Sequence, residues 1–250
     1  MSSGGAQPPG YDREMTQASP PPEQAGGHRG IVALLRRSGP YSSGPEVLSE
    51  LRRAIVSGRV PPGSQIPLDD VAAFFGVSLI PVREALKTLL GEGLLEHQPR
   101  LGYTVTALSP AELDELYVVR GALESAALDS AVANATAADH QRARDVHARL
   151  GTAVESNDTE AFQHSSRDFH EALLAPCRMP RLLHMLDIAW NLTEPAQTMM
   201  RVTEQERVEM RADHDEMLAA FEAGDAARLR AAAQTHHRRL TQCITRIADS

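Results

Sequence analysis

Cysteine is scarce. Cys177 and Cys243 are the only two in 250 residues, too few for a disulfide framework and in keeping with a reducing compartment. No apolar run exceeds five residues, against the roughly 20 needed to cross a bilayer. The opening MSSGGAQPPG has no apolar stretch of the kind that marks an export signal. These absences predict a cytoplasmic protein with no membrane contact. Lysine is nearly missing, Lys87 being the only one. The HExxH and GxSxG patterns of common hydrolases do not occur, and no internal repeat of fixed period is visible.

What is present is unevenly distributed. The formal net charge is −8, but residues 1–44 carry four basic against three acidic residues, 45–107 six against seven, and 108–250 15 against 23. The acidity therefore sits in the C-terminal part. The near-neutral middle can bind DNA only by gathering its few cations on one face, because phosphate neutralisation supplies most of such affinity.

Residues 1–44 are rich in Gly, Pro, Ser and Gln and predict a disordered tail. Its one apolar and basic island, Ile31–Arg37, would be a short helix or a basic arm. From residue 45 the texture changes. Val47, Leu48, Leu51, Ile55 and Val56 form one apolar helix face, ended by Gly58. Leu68, Val71, Ala72 and Phe75 mark a second short helix stopped by Gly76. Ser78 is placed to cap a third, with Val82, Ala85, Leu86, Leu89 and Leu90 as its apolar positions and Gly91 and Gly93 closing it. Two short helices around Gly76-Val77-Ser78 predict a helix-turn-helix. The β-prone runs 94–97 and 103–106 around Gly102 add a hairpin. A helix-turn-helix followed by a hairpin is a winged helix, expected over 45–107.

Beyond Ser109 the strand signals vanish. Ser109-Pro110-Ala111-Glu112 has the spacing of a capping box, and helices are expected at about 138–153, 158–176, 179–199, 204–223 and 226–248. The fold class expected is mainly α: a winged helix-turn-helix followed by an all-helical bundle over 108–250.

The runs Leu51–Gly63, Gly76-Val77-Ser78, Pro81–Leu86 and Glu92-Gly93-Leu94 resemble the winged helix of GntR-family bacterial transcription regulators. Arg120-Gly121-Ala122-Leu123-Glu124, Asp168-Phe169-His170, His214 with Glu222–Asp225, and His236 resemble the FadR-type helical ligand-binding domain, called FCD. The resemblance covers about residues 45–248. It implies a DNA-binding regulator, in most relatives a repressor released by a small ligand; a homodimer is expected because two winged helices one helical turn apart read a palindrome that one with few cations cannot.

For the DNA side, Arg83 lies opposite the apolar face of the third helix, where its guanidinium can reach base edges; arginine on guanine is the commonest specific contact. The resemblance assigns operator reading to it. Ser78 and Lys87 are candidate phosphate contacts, and Arg52, Arg53, Arg100 and Gly102 are further candidates on the first helix and in the wing. Two positions depart from the family: Leu79 and Ile80 stand where an Arg and a small polar residue are usual. They cannot donate to bases, and either meet thymine methyl groups or bury against a neighbour.

For the ligand side, His170, His214 and His236 fall on three helices, 44 and 22 residues apart. They can offer three imidazole nitrogens to a divalent transition metal such as Zn²⁺ or Ni²⁺, or form a neutral polar cluster that meets the ligand directly. The resemblance places metal ligands at these points, with an Asp one turn before the first His; here that residue is Ser166. His237, turned about 100° from His236, is expected outside the site. Arg120 either binds the carboxylate of an organic acid effector or pairs with Glu124 one turn on. Trp190 and Asn191 are candidates to line the pocket, and Met185, Met199, Met200 and Met210 read as packing. Two other classes fit parts of the pattern: a metal-dependent, hydrolase-like enzyme using the three histidines, and a DNA-binding adaptor whose helical part only dimerises.

Overall fold

The computed structural model describes residues 30–37, 39, 42–196 and 201–248. Two hydrophobic cores organise it. The first is built by α1 (Gly44–Val56), α2 (Leu68–Phe75), α3 (Leu79–Gly91) and the antiparallel hairpin β1 (Leu95–Gln98) and β2 (Gly102–Val105). Val47, Leu51 and Ile55 of α1, Phe75 of α2 and Val82, Leu86 and Leu89 of α3 are completely buried in it, the apolar stripes anticipated from the periodicity. Helix ends follow the sequence punctuation. Ser43 caps α1 through the Glu46 N–H, and Gly76 adopts the left-handed conformation after α2 with φ 66°, which costs a glycine nothing.

The hairpin registers Leu95 with Val105 and Gln98 with Gly102, one residue away from the runs expected on composition. Residues 63–66 lie alongside as a third line: the Ile66 N–H donates to the Tyr103 carbonyl at 2.9 Å and the Val105 N–H to that of Ser64, also at 2.9 Å. Ile31 and Leu35, expected in a disordered tail, are buried in this same core at 1% and 7% exposure. A 3₁₀ turn at Val32–Leu34 carries them. Arg53 fastens that turn, donating to the Leu34 carbonyl at 2.5 Å and to Glu50. The rest of the expected tail, residues 1–29, 38, 40 and 41, lies outside the described residues.

The second core is helical throughout the described residues: α4 (Pro110–Asn134), α5 (Ala137–Glu155), α6 (Thr159–Leu174), α7 (Pro180–Thr193), α8 (Glu204–Glu222) and α9 (Ala226–Ala248). Capping boxes at Ser109/Glu112, Thr136/Asp139 and Thr203/Glu206 start α4, α5 and α8. Helix α7 was expected to reach 199. It gives way after Thr193 to a 3₁₀ turn at Glu194–Ala196; Glu194 keeps helical angles, but Pro195 has no N–H to continue the ladder. Residues 197–199 of the expected helix, Met199 among them, and Met200 lie outside the described residues.

Helix α4 packs on α7 and α9, α5 on α6 and α8, and α8 on α9, closing a bundle around Phe162, Phe169 and Phe221. Met210 is packed inside as expected, while Met185 is 58% exposed. The two cores meet at the end of α7, where Leu192 packs against the N-terminal cluster beside Gly93, and where Arg59 pairs with Glu160 at 2.7 Å. None of the helices among the described residues is long and apolar enough to cross a membrane.

Candidate ligand site and DNA-reading face

Helices α6, α8 and α9 each turn one buried histidine toward a common point. The apolar stripes that bury Phe169, Met217 and Leu240 fix the rotation of each helix. The ligand nitrogens of His170, His214 and His236 all lie within 4.8 Å of one another. Around them the polar partners are specific. His170 Nδ1 lies 3.1 Å from Glu124 Oε2, and His236 Nδ1 lies 3.5 Å from Asp213 Oδ2. Asp213 is itself held by Arg239 Nε at 2.9 Å. This is how proteins commonly orient a metal-ligating imidazole, a carboxylate taking one nitrogen and leaving the other for the ion.

His214 is 0% exposed, and neither of its ring nitrogens has a partner among the described residues. A buried polar group left unpaired is costly, so this ring is the strongest structural sign that something else belongs at the centre. Burial, reinforced by the neighbouring His236 and His170, holds His214 well below the usual histidine range; burial likewise lowers His236. Both rings are thus neutral, the form that binds a metal. Burial works to raise the Glu124 carboxyl, but His170 and Arg120 outweigh it and hold it at about 2, so Glu124 is an ionised carboxylate. The three imidazoles fit a divalent transition ion; Ser166, lining the same pocket, offers a hydroxyl where the resembled family has a carboxylate.

The cavity above the histidines is small, about 40 Å³, room for an ion with a few waters and short of the ~300–1,000 Å³ of drug-sized ligand sites. Arg120 forms its cationic wall. The Arg120 guanidinium donates to Thr193 Oγ1 at 3.1 Å and stands 3.8 Å from Glu124. It lies over the rings of Tyr117 and Trp190, and its Nε has no partner among the described residues. Arg120 thus stands beside Glu124 and also lines the pocket.

Trp190 and Asn191 are corrections. Trp190 is packed in the core beneath Arg120 and Arg167. Asn191 accepts from Arg167 Nη1 at 2.9 Å, so it braces a pocket residue without lining the pocket. His237 is corrected the other way, since it lines the pocket. Its ring occupies the space a side chain at Gly121 would fill, with Nε2 2.6 Å from where a Cβ would stand. Sequence reasoning also missed Gln163, Arg167 and Glu194. For Arg167 the signal was there, three residues before His170 and hence on the same helix face.

On the N-terminal unit, Arg83 and Ser78 are exposed. Ser78 occupies the cap position of α3, yet its hydroxyl makes no capping bond, which leaves it available to a phosphate. Lys87 is exposed and pairs with Glu84 at 2.9 Å. Arg100 and Gly102 shape the tip of the wing with φ 74° and 77°. Arg52 and Arg53 do not join this face. Arg52 makes two hydrogen bonds to Glu92 at 3.0 and 2.5 Å, and Arg53 is engaged by Glu50 and Leu34, so both guanidinia are already occupied by the protein. Leu79 and Ile80 divide between the two fates considered: Leu79 packs against the core, and Ile80 is 71% exposed.

A winged helix joined to a helical bundle with a polar, histidine-lined centre defines a two-part DNA-binding protein. Residues 45–105 match the model of the bacterial regulatory proteins of the gntR family, and residues 115–239 match the FCD domain. The chain is 31% identical over 204 residues to the Probable D-xylose utilization operon transcriptional repressor of Paenarthrobacter nicotinovorans, covering 76% of this chain and 85% of that one. It is 30% identical over 145 residues to the HTH-type transcriptional regulator McbR of Escherichia coli, covering 58% and 66%. The solved E. coli McbR/YncC structure superposes with a TM-score of 0.74 at 26% identity, over 82% of this chain and 98% of that one. The chain belongs to the GntR family of DNA-binding transcription regulators, with an FCD domain. The enzyme reading is set aside, because the family and these relatives are regulators.

Proposed function

We propose that this regulator is a homodimeric repressor whose FCD domain holds a divalent transition metal, Zn²⁺ or Ni²⁺, on His170, His214 and His236 and releases operator DNA when a small organic acid binds beside it. The buried, unpartnered His214 ring carries the reading. Bound there, the ion would supply positive charge and open coordination positions for a carboxylate oxygen. Arg120 receives the rest of the acid: its unpaired Nε and its position over Tyr117 and Trp190 make it a preset anion contact. Arg83, Ser78, Lys87, Arg100 and Gly102 meet the operator. Two winged helices one helical turn apart would read a palindrome, which a single unit with so few cations could not do tightly. The name of the Paenarthrobacter relative supports the repressor sign. Acting on operators places the protein in the cytoplasm.

Metal analysis and native mass of protein purified without chelator or histidine tag test this reading. About one ion per chain is expected for one three-histidine site, in a dimer, and alanine at any of the three histidines should empty the site while operator affinity in the absence of effector persists. A metal-free dimer with unchanged ligand response would replace the metal centre with a plain polar pocket. A protein indifferent to every acid and every metal would be the adaptor.

A further inference from the structure

Ile80 is out of place by any criterion of stability. It is the second residue of α3 and, at 71%, the most exposed of the large apolar residues among the described part. A β-branched side chain there weakens the helix slightly and buries nothing. Its neighbours on the helix surface are polar: Arg83 lies three residues on, Glu84 four, and Lys87 seven, so all four share one outward stripe. Within that stripe Ile80 alone can neither donate nor accept a hydrogen bond. The two residues flanking it are held differently. Leu79 turns into the core, and Pro81 rests near Gly44, 3.9 Å from where a Cβ there would stand, which leaves Ile80 as the apolar group projecting from the start of the helix.

We infer that Ile80 is a specificity-determining residue that reads the C5-methyl group of a thymine in the operator half-site, next to the base contacted by Arg83. The inference rests on α3 being the element that enters the major groove. In that groove the thymine methyl is the one apolar feature of the four standard bases, all other readable groups being donors or acceptors. An isoleucine in place of a polar residue therefore exchanges a hydrogen-bond code for a methyl contact, and the operator of this protein carries a thymine at the step that Ile80 reaches. Burial of one methyl is worth about 0.8 kcal/mol, which converts to roughly a fourfold change in affinity.

The experiment selects a duplex from a randomised pool with the full-length protein, then replaces each thymine of the enriched sequence in turn by deoxyuridine, which removes the methyl and keeps the hydrogen-bonding edge. Binding is measured for the wild-type chain and for Ile80→Ala, whose exposed site leaves the melting temperature unchanged. The expected result is a loss of about fourfold in affinity at one thymine per half-site for the wild type, with no further loss for Ile80→Ala. Wild-type binding indifferent to deoxyuridine at every position would overturn the inference, as would equal sensitivity in Ile80→Ala, because another group would then read the methyl. Enrichment of a sequence without thymine in the half-site would overturn it too. A pool that yields no enriched sequence would instead bring down the placement of α3 in the groove and Ile80's role with it.

Discussion

Arg52 and Arg83 have the same chemistry and opposite employment. Arg83 extends from α3 into solvent, whereas Arg52 is pinned by two hydrogen bonds to Glu92 across α1 and the end of α3. Arg83→Ala is expected to leave the melting temperature unchanged and to weaken specific operator binding by about 1–3 kcal/mol, read in a fluorescence-anisotropy titration at physiological salt. Arg52→Ala should do the reverse, lowering stability by about 1 kcal/mol, the upper end for a partly exposed ion pair, while operator affinity of the folded protein holds. The contrast marks what the sequence leaves unsaid. Helical periodicity tells which side of its own helix a residue occupies, so Arg83 was legible as outward-facing. It does not tell which group from a distant segment arrives to meet it, so Glu92 as the partner of Arg52 and the Leu34 carbonyl as a partner of Arg53 were not, whereas Glu50, three residues before Arg53 on α1, could have been read from spacing. The same limit explains Asn191. Its position near the pocket follows from the sequence, but its capture by Arg167 depends on how α6 and α7 cross.

Helix boundaries were the most readable feature because they are written in short-range chemistry: Ser109 as a cap, Gly76 and Gly93 as stops. The three histidines were singled out by the family resemblance, because ten histidines allow many triples and spacing alone does not choose among them. The turn at Val32–Leu34 was hidden, because one apolar island inside a Gly- and Pro-rich stretch has no period to betray a partner. Its contribution can be measured. Ile31→Ala removes a side chain that is 1% exposed and should destabilise the N-terminal unit by about 2–5 kcal/mol, seen as an earlier chemical-denaturation midpoint. The clamp behind it depends on pH. The side-chain hydrogen bond from Arg53, against the opposing effect of burial, holds Glu50 below its ordinary value of 4.5. A carboxyl lowered in the folded state stabilises above its unfolded pKa and loses that contribution as pH falls through the folded one. The stability gap between wild type and Glu50→Gln should therefore be full at neutral pH and close progressively below about pH 4.5; a gap that widened on acidification would refute the clamp.

Across the whole molecule, the end of α7 is where a signal from the ligand site can reach the DNA-binding unit. Three consecutive residues face three ways. Thr193 accepts from Arg120 in the pocket wall, Leu192 packs against the N-terminal core beside Gly93, and Glu194 accepts from Gln163 while lining both the ligand pocket and the cleft between the two units. A ligand that moves Arg120 shifts Thr193, and a helix end cannot move Thr193 without carrying Leu192. Regulation requires that the ligand site and the DNA face favour different relative poses of the two units, and linkage then makes the coupling reciprocal. Coupling of this kind usually amounts to about 1–3 kcal/mol, or 5- to 150-fold in affinity. Leu192→Ala loosens the contact that transmits the pose without touching a histidine of the site or a residue of the DNA face. Its metal content should match wild type, and operator affinity measured on the metal-loaded protein should stay within a few-fold. The ratio of operator dissociation constants of the metal-loaded protein with and without an organic acid that releases the wild type should fall toward one. If that ratio were unchanged in Leu192→Ala, the pose of the winged helix would have to be set elsewhere, with the Arg59–Glu160 ion pair the next contact between the two units to remove.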